Sequence, residues 1–124
     1  MKVLVVDDEV SLADALGELF RRNKIIADVV YDGEDGYYYA QKGDYDVIVL
    51  DVMMPHMDGN AAASAIRALD RPDARTVPII AMSANSFGDD IKESLRAGMN
   101  AHVPKPIDER TLIGTVRRLT GQDT

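Results

Sequence analysis

Val47-Ile48-Val49-Leu50-Asp51-Val52-Met53-Met54-Pro55-His56-Met57-Asp58-Gly59 is the stretch on which the fold turns. Its first four residues are a short apolar run, three of them β-branched, that reads as a strand ending on a carboxylate. Pro55 to Gly59 then make the sharp turn that exposes the loop beside Asp51, and Asp58-Gly59 reads as a helix entrance. The same kind of run recurs on either side, at Val3 to Val6, Ala27 to Val30, Ile79 to Met82 and Ala101 to Val103.

Between these five strands lie segments of helical period. Leu12, Ala15, Leu16, Leu19 and Phe20 repeat at three and four, with Ser11 and Asp14 placed to form a capping box. Asp35 to Gln41 predicts a shorter helix, and Ala61 to Leu69 puts Ala62, Ala65, Ile66 and Leu69 on one face. Ile91 with Leu95 marks a fourth helix that Gly98 closes, and Asp108 caps a fifth with inner face Leu112, Val116 and Leu119. Alternation of apolar strands with amphipathic helices requires a parallel sheet covered on both faces, because parallel neighbours need a crossover and the crossover is helical. The expected fold is three-layer α/β, a (βα)5 doubly wound parallel sheet in the flavodoxin-like order 2-1-3-4-5. In that order the first and third strands are neighbours, and ligands collect beyond their carboxyl ends.

The 124 residues, 46% of them hydrophobic, suffice for one domain, expected over 1–120 with a polar tail at 121–124. A net charge of −7 disfavours nucleic acid or an anionic membrane as partner. The absence of cysteine excludes disulfides, thiolate metal sites and thiol nucleophiles. No apolar run approaches the roughly 20 residues of a membrane span, and Val3 to Val6 leads into acids rather than a cleavage site, so a cytoplasmic location is expected.

Asp7, Asp8 and Glu9 follow the first strand and Asp51 the third, so at least three carboxyl groups converge on one crevice. Two carboxylates about 5 Å apart at an effective dielectric near 20 repel by roughly 3 kcal/mol. One such acid would read as a solvated turn residue; a cluster calls for a cation, and oxygen ligands with positions left for water suit Mg²⁺. Ser83 after the fourth strand and Lys105 after the fifth bring a hydroxyl and an ammonium to the same end of the sheet. Alone, each reads as a turn or solvated residue.

Val5-Val6-Asp7-Asp8-Glu9, Asp51 to Gly59, Met82-Ser83-Ala84-Asn85 and Lys105-Pro106, in this order and spacing, resemble the motifs of receiver domains of two-component response regulators across residues 2–119. The resemblance implies that Asp51 accepts a phosphoryl group from a sensor histidine kinase or histidine phosphotransfer protein. It further implies that Asp8, Asp51 and the backbone carbonyl of Met53 bind Mg²⁺ directly, that Asp7 acts through water, and that Lys105 and Ser83 contact the phosphoryl oxygens. Such a domain promotes its own phosphorylation and dephosphorylation and is not an enzyme acting on an outside substrate. Met53 and Asn85 resemble the variable positions that tune phosphoryl lifetime, and Ser83 is the expected sensor of a conformational switch. His102, three before the lysine, stands where the family usually has Tyr or Phe, so its part in that switch is open between a moving imidazole and a static, partly buried one. In relatives the face of the fourth helix, fifth strand and fifth helix makes homodimers or binds a downstream protein target or effector domain. Tyr37, Tyr38 and Tyr39 form an aromatic trio of which helical spacing lets one or two point inward.

A flavodoxin shares the architecture, but its phosphate-binding first loop needs Ser, Thr and Gly where this chain has Asp7-Asp8-Glu9. A haloacid-dehalogenase-type phosphatase would need a second Asp at the position of Met53. A phosphorylation-independent pseudo-receiver, acting only as an interaction module, is disfavoured because acids, hydroxyl and lysine are all present. No basic recognition helix occurs, so direct DNA binding is not expected.

Overall fold

The computed structural model describes residues 1–84 and 88–121. Asn85 and the tail residues 122–124 lie outside the described residues. In chain order the elements are β1 (Lys2–Val6), α1 (Val10–Arg22), β2 (Ile26–Val30), α2 (Gly33–Lys42), β3 (Val47–Asp51), α3 (Gly59–Arg67), α4 (Pro72–Thr76), β4 (Ile79–Ser83), α5 (Gly88–Arg96), β5 (Ala101–Pro104) and α6 (Glu109–Thr120). The strands pair in parallel in the order β2-β1-β3-β4-β5, as the alternation of elements requires.

Period-two alternation divides the strand residues between two cores. Val3, Val5, Val49, Ile80 and Met82 face α1 and α6 with Leu16, Phe20, Leu112 and Val116. Leu4, Val6, Ile48, Leu50 and Ala81 face the opposite side with Ala62, Ala63 and Ile66 of α3. Burying a side chain the size of Phe20 contributes about 1.5–3 kcal/mol, and Phe20 is completely buried. Register fixes the functional end: Val6 pairs with Leu50, Asp51 with Met82 and Ser83 with Pro104, so the carboxyl ends of β1, β3, β4 and β5 lie side by side.

Several local expectations are corrected. The Ser11–Asp14 capping box does not form: α1 is capped at Glu9 without a side-chain bond, and Asp14 instead accepts from the Tyr31 hydroxyl at 2.6 Å. Helix α2 starts before Asp35, because Asp32 accepts the Asp35 N–H at 2.7 Å and caps it from Gly33. Buried positions on α1 and α3 include Ala13 and Ala63, while Ala15 is exposed and Ala65 only half-buried. On α5 the inward residue is Ser94, and Leu95 is 55% exposed. Gly98 does close α5, with φ +102° and its N–H on the Leu95 carbonyl at 3.0 Å. Of the tyrosines, Tyr37 and Tyr39 pack partly against the core and Tyr38 is exposed.

The sixth helix, α4, was not expected. Pro72 starts it and the Arg67 guanidinium holds its interior, donating to the carbonyls of Ala74 at 3.0 Å and Gly98 at 2.8 Å and to Asn100 Oδ1 at 2.9 Å. Arg71 fastens its start to α2 through the Ala40 and Gln41 carbonyls. Among the described residues no helix is long and apolar enough to cross a membrane.

Candidate functional site at the carboxyl ends of the strands

Asp51 ends β3 and is only 2% exposed; Asp7, one residue beyond β1, is completely buried. Asp8 is exposed beside them, and carboxylate oxygens of Asp7, Asp8 and Asp51 all lie within 4.8 Å of one another. Lys105, just past β5, enters from the opposite edge, with Nζ 3.1 Å from Asp7 Oδ2 and 3.3 Å from Asp51 Oδ1. Its backbone N–H donates to the Ser83 carbonyl at 2.9 Å, tying the lysine to the end of β4. Asp7 Oδ1 accepts the Glu9 N–H at 2.9 Å, so both Asp7 oxygens are engaged by protein groups. Asp51 Oδ1 also faces the Met53 N–H at 3.4 Å.

One ammonium set against three carboxylates leaves the cluster short of positive charge, and the effect is visible in proton affinity. Burial, reinforced by the charge of Asp7 and opposed by Lys105, pushes the Asp51 carboxyl up to about 7. Burial alone would lower the proton affinity of Lys105, but its contacts with Asp7 and Asp51 outweigh that and hold the ammonium above its ordinary value. These carboxylates are hard oxygen donors at a mouth open through Asp8, a set that fits a small divalent cation.

The structure thus brings together Asp7, Asp8, Asp51 and Lys105, with buried Ser83 at the adjacent strand end. Met53 lies at the rim with its side chain 65% exposed. His102 is half-buried, its backbone in register with Ala81, and it borders a small cavity that Ser83 and Met53 also border. Two features escaped the sequence reading. One is that cavity, to which Asn60 and Ser94 contribute; the other is a groove of about 570 Å³ between α1 and the β5–α6 connection, lined by Leu12, Leu16, Leu19, Pro106 and Ile107 beside Lys105. Helical periodicity marks Leu12, Leu16 and Leu19 as apolar, but does not say that part of that face stays uncovered.

The loop after Asp51 returns tightly. Asp58 Oδ1 accepts the Ala61 N–H at 2.8 Å, and the Gly59 N–H donates to the Val52 carbonyl at 2.9 Å. A Cβ on Gly59 would stand 2.3 Å from the Asp51 carbonyl oxygen and 2.8 Å from Val52 Cα, both backbone atoms that cannot step aside. Gly59→Ala is therefore expected to cost about 1–3 kcal/mol. Gly114→Ala has the opposite sign, since nothing lies within 4 Å of a Cβ there and helix propensity in α6 improves by about 1 kcal/mol. Thermal melts of the two variants check both; equal Tm values would refute the close approach at Gly59.

A doubly wound parallel sheet that gathers buried acids and one lysine at its switch point defines a class of signalling module, and comparison with known proteins agrees. Residues 3–117 match the response regulator receiver domain, and the chain belongs to that family. It is 37% identical over 119 residues to the transcriptional regulatory protein CutR of Streptomyces coelicolor, covering 96% of this chain and 53% of CutR. Protein RcaC of Microchaete diplosiphon is 36% identical over 119 residues, covering 96% of this chain and 18% of RcaC. The chain thus spans about half the length of the one and under a fifth of the other. Among solved structures, the receiver domain of the sensor histidine kinase PA1611 from Pseudomonas aeruginosa, with a magnesium ion coordinated in its active site cleft, superposes with TM-score 0.88 at 32% identity over 97% of each chain.

Proposed function

We propose that this domain, acting as one receiver unit over residues 1–120 in the cytoplasm, accepts a phosphoryl group on Asp51 from the phosphohistidine of a sensor histidine kinase or phosphotransfer protein, and in response controls a protein partner. The observation that carries the reading is the buried Asp51 carboxylate with Lys105 Nζ at 3.3 Å and Asp7 and Asp8 alongside. In the transfer an Asp51 oxygen bonds to phosphorus as the phosphorus–nitrogen bond breaks, and the imidazole leaves with its electron pair. Positioning and neutralisation of the equatorial oxygens make up most of the catalysis. Lys105 supplies one fixed charge, and the Ser83 hydroxyl lies at the neighbouring strand end to receive a phosphoryl oxygen. Mg²⁺ held by Asp8, Asp51 and the Met53 carbonyl, with Asp7 through water, would supply the remaining charge and keep Asp51 ionised.

The apolar groove beside Lys105 suits the histidine-bearing helix of the donor, whose apolar face would cover Leu12, Leu16 and Ile107. Met53 and Asn85 would flank the water that hydrolyses the acyl phosphate. Ser83 would sense the phosphoryl group, with His102 turning in the adjoining cavity, and the altered face would be α5, β5 and α6. That face would carry a homodimer contact or bind the downstream target or effector domain. The pseudo-receiver reading has less support, since every charged group of the site is in place.

Acetyl phosphate with Mg²⁺ is the direct test. Borohydride reduction of the product followed by peptide mass spectrometry is expected to place the acyl phosphate on Asp51. Phosphate on Asp7, Asp8 or Ser83 would overturn the reading.

A further inference from the structure

Six of the 14 basic residues of this acidic chain gather where α1 ends and along α6: Arg21, Arg22, Lys24, Arg110, Arg117 and Arg118. Between the two helices runs a groove of about 320 Å³, with nearly buried Leu19 and Ile113 at its floor and Asn23, Arg110, Gly114 and Arg117 along it. Arg110, Ile113, Gly114 and Arg117 recur at three and four, so they share one face of α6. Both arginines and the glycine are exposed, and neither guanidinium has an ion-pair partner among the described residues. The acid on the groove, Glu109, is turned to Arg22 at 3.7 Å. Glycine is a poor helix former, yet nothing within the domain asks for one at 114: its φ is not left-handed, and a Cβ there would meet no atom within 4 Å. Bare backbone on an exposed helix face suits close approach by a second backbone.

We propose that the groove between α1 and α6 docks an α-helix of a partner protein that sets two carboxylates, two turns apart, against Arg110 and Arg117 and a small residue against Gly114. Spacing, shape and charge each select this occupant. Seven residues at about 1.5 Å each put the two arginines roughly 10 Å apart along the helix axis, so acids at the same interval on a facing helix meet both. Gly114 lies between them, where the absence of a side chain lets the two axes close to about 8 Å. Each guanidinium can take a carboxylate bidentately. A second copy docking through the same face would set arginine against arginine, and the net charge of −7 opposes an anionic membrane. The groove adjoins the one beside Lys105 at Leu19 and Glu109, whereas Asn23, Arg110, Ile113, Gly114 and Arg117 belong to it alone. The inference therefore stands apart from phosphorylation and uses neither Asp51 nor Lys105.

The test is an NMR titration of the unphosphorylated domain at low ionic strength. The probe is a hydrocarbon-stapled helical peptide that carries alanine between two glutamates two turns apart on one face, compared with the same peptide bearing glutamine in place of both acids. Saturable shifts are expected at the Asn23 side-chain amide, the Gly114 amide and the Nε–H groups of Arg110 and Arg117, with the glutamine peptide at least about threefold weaker for want of two ion pairs. The double variant Arg110→Gln, Arg117→Gln should bind the two peptides alike. Gly114→Leu should weaken the glutamate peptide at least about threefold by filling the line of approach, while its Tm stays at or above that of the wild type because leucine is the better helix former. A folding defect cannot produce that pairing of results. Equal binding of both peptides by the wild type, full binding by Gly114→Leu, or shifts centred elsewhere would overturn the proposal. So would tighter binding to phosphatidylglycerol vesicles than to the peptide, which makes the face a membrane contact, or self-association through it on sedimentation, which makes the occupant a second copy.

Discussion

In chelator at pH 8, the Asp51→Asn domain is expected to melt well above the wild type and to lose that advantage as the pH falls to 4. Asp51 binds its proton with a pKa of about 7 in the native fold against 3.8 for an ordinary aspartate. Between those values the unfolded chain has released a proton that the native state keeps, so wild-type stability falls as the pH rises through this window. Above it both states are ionised and the full cost of burying the charge beside Asp7 is present. That cost is on the order of 4 kcal/mol, or roughly 15 °C in Tm for a domain of this size. Asparagine does not titrate, so the variant escapes the loss, less whatever Lys105 forfeits with one of its two carboxylate partners. Lys105 shares that pH sense but through a charge that stabilises: its ion pairs hold the fold below its ordinary pKa and are lost as the pH climbs through the raised native value. Paired melts from pH 4 to 8 check the expectation. A wild type that gains stability over this range relative to the variant would refute the buried-charge account, and the same variant should take no label from acetyl phosphate.

The second large effect is the response to divalent cation. Mg²⁺ is expected to raise the Tm of the wild type, more at pH 8 than at pH 5, because cation and proton compete for the same carboxylates. A ligand at 100 times its Kd stabilises by about 2.7 kcal/mol. Asp8→Ala should remove most of that shift. Asp7 is buried, with both oxygens already engaged by Glu9 and Lys105, while Asp8 is exposed at the mouth. Mg²⁺-dependent melts and calorimetric titration measure the difference, and a full response in Asp8→Ala would remove Asp8 from the ligand set.

The sheet was legible because strands buried on both faces have no alternative to apolar runs, and Val3 to Val6 and Val47 to Leu50 state this without ambiguity. The acid site followed from topology, since a parallel sheet puts residues after strands at one end whatever their separation in sequence. What escaped was decided by partners far away. Helix α4 is only five residues long and depends on Arg67 and Arg71 reaching carbonyls of Gly98, Ala40 and Gln41, contacts that leave no periodic trace. On α5 Ser94 is buried and Leu95 is 55% exposed, an orientation that the apolar pair Ile91 and Leu95 does not announce. The Ser11–Asp14 box failed because α1 already starts at Val10, which puts Ser11 inside the helix, and Asp14 pairs with Tyr31, seventeen residues away.

One feature of the site bears on how the protein is made. Asp7, Asp8 and Asp51 precede Lys105, the one ammonium close to them among the described residues, which arrives with the last strand at the edge of the sheet. Chains emerge from the ribosome in sequence order at about 5–20 residues per second. For some seconds a nascent copy therefore holds its acids with no counter-charge, and cannot close the sheet end on which the acceptor depends. On the proposed reading, a chain that still lacks residue 105 would not yet accept a phosphoryl group on Asp51.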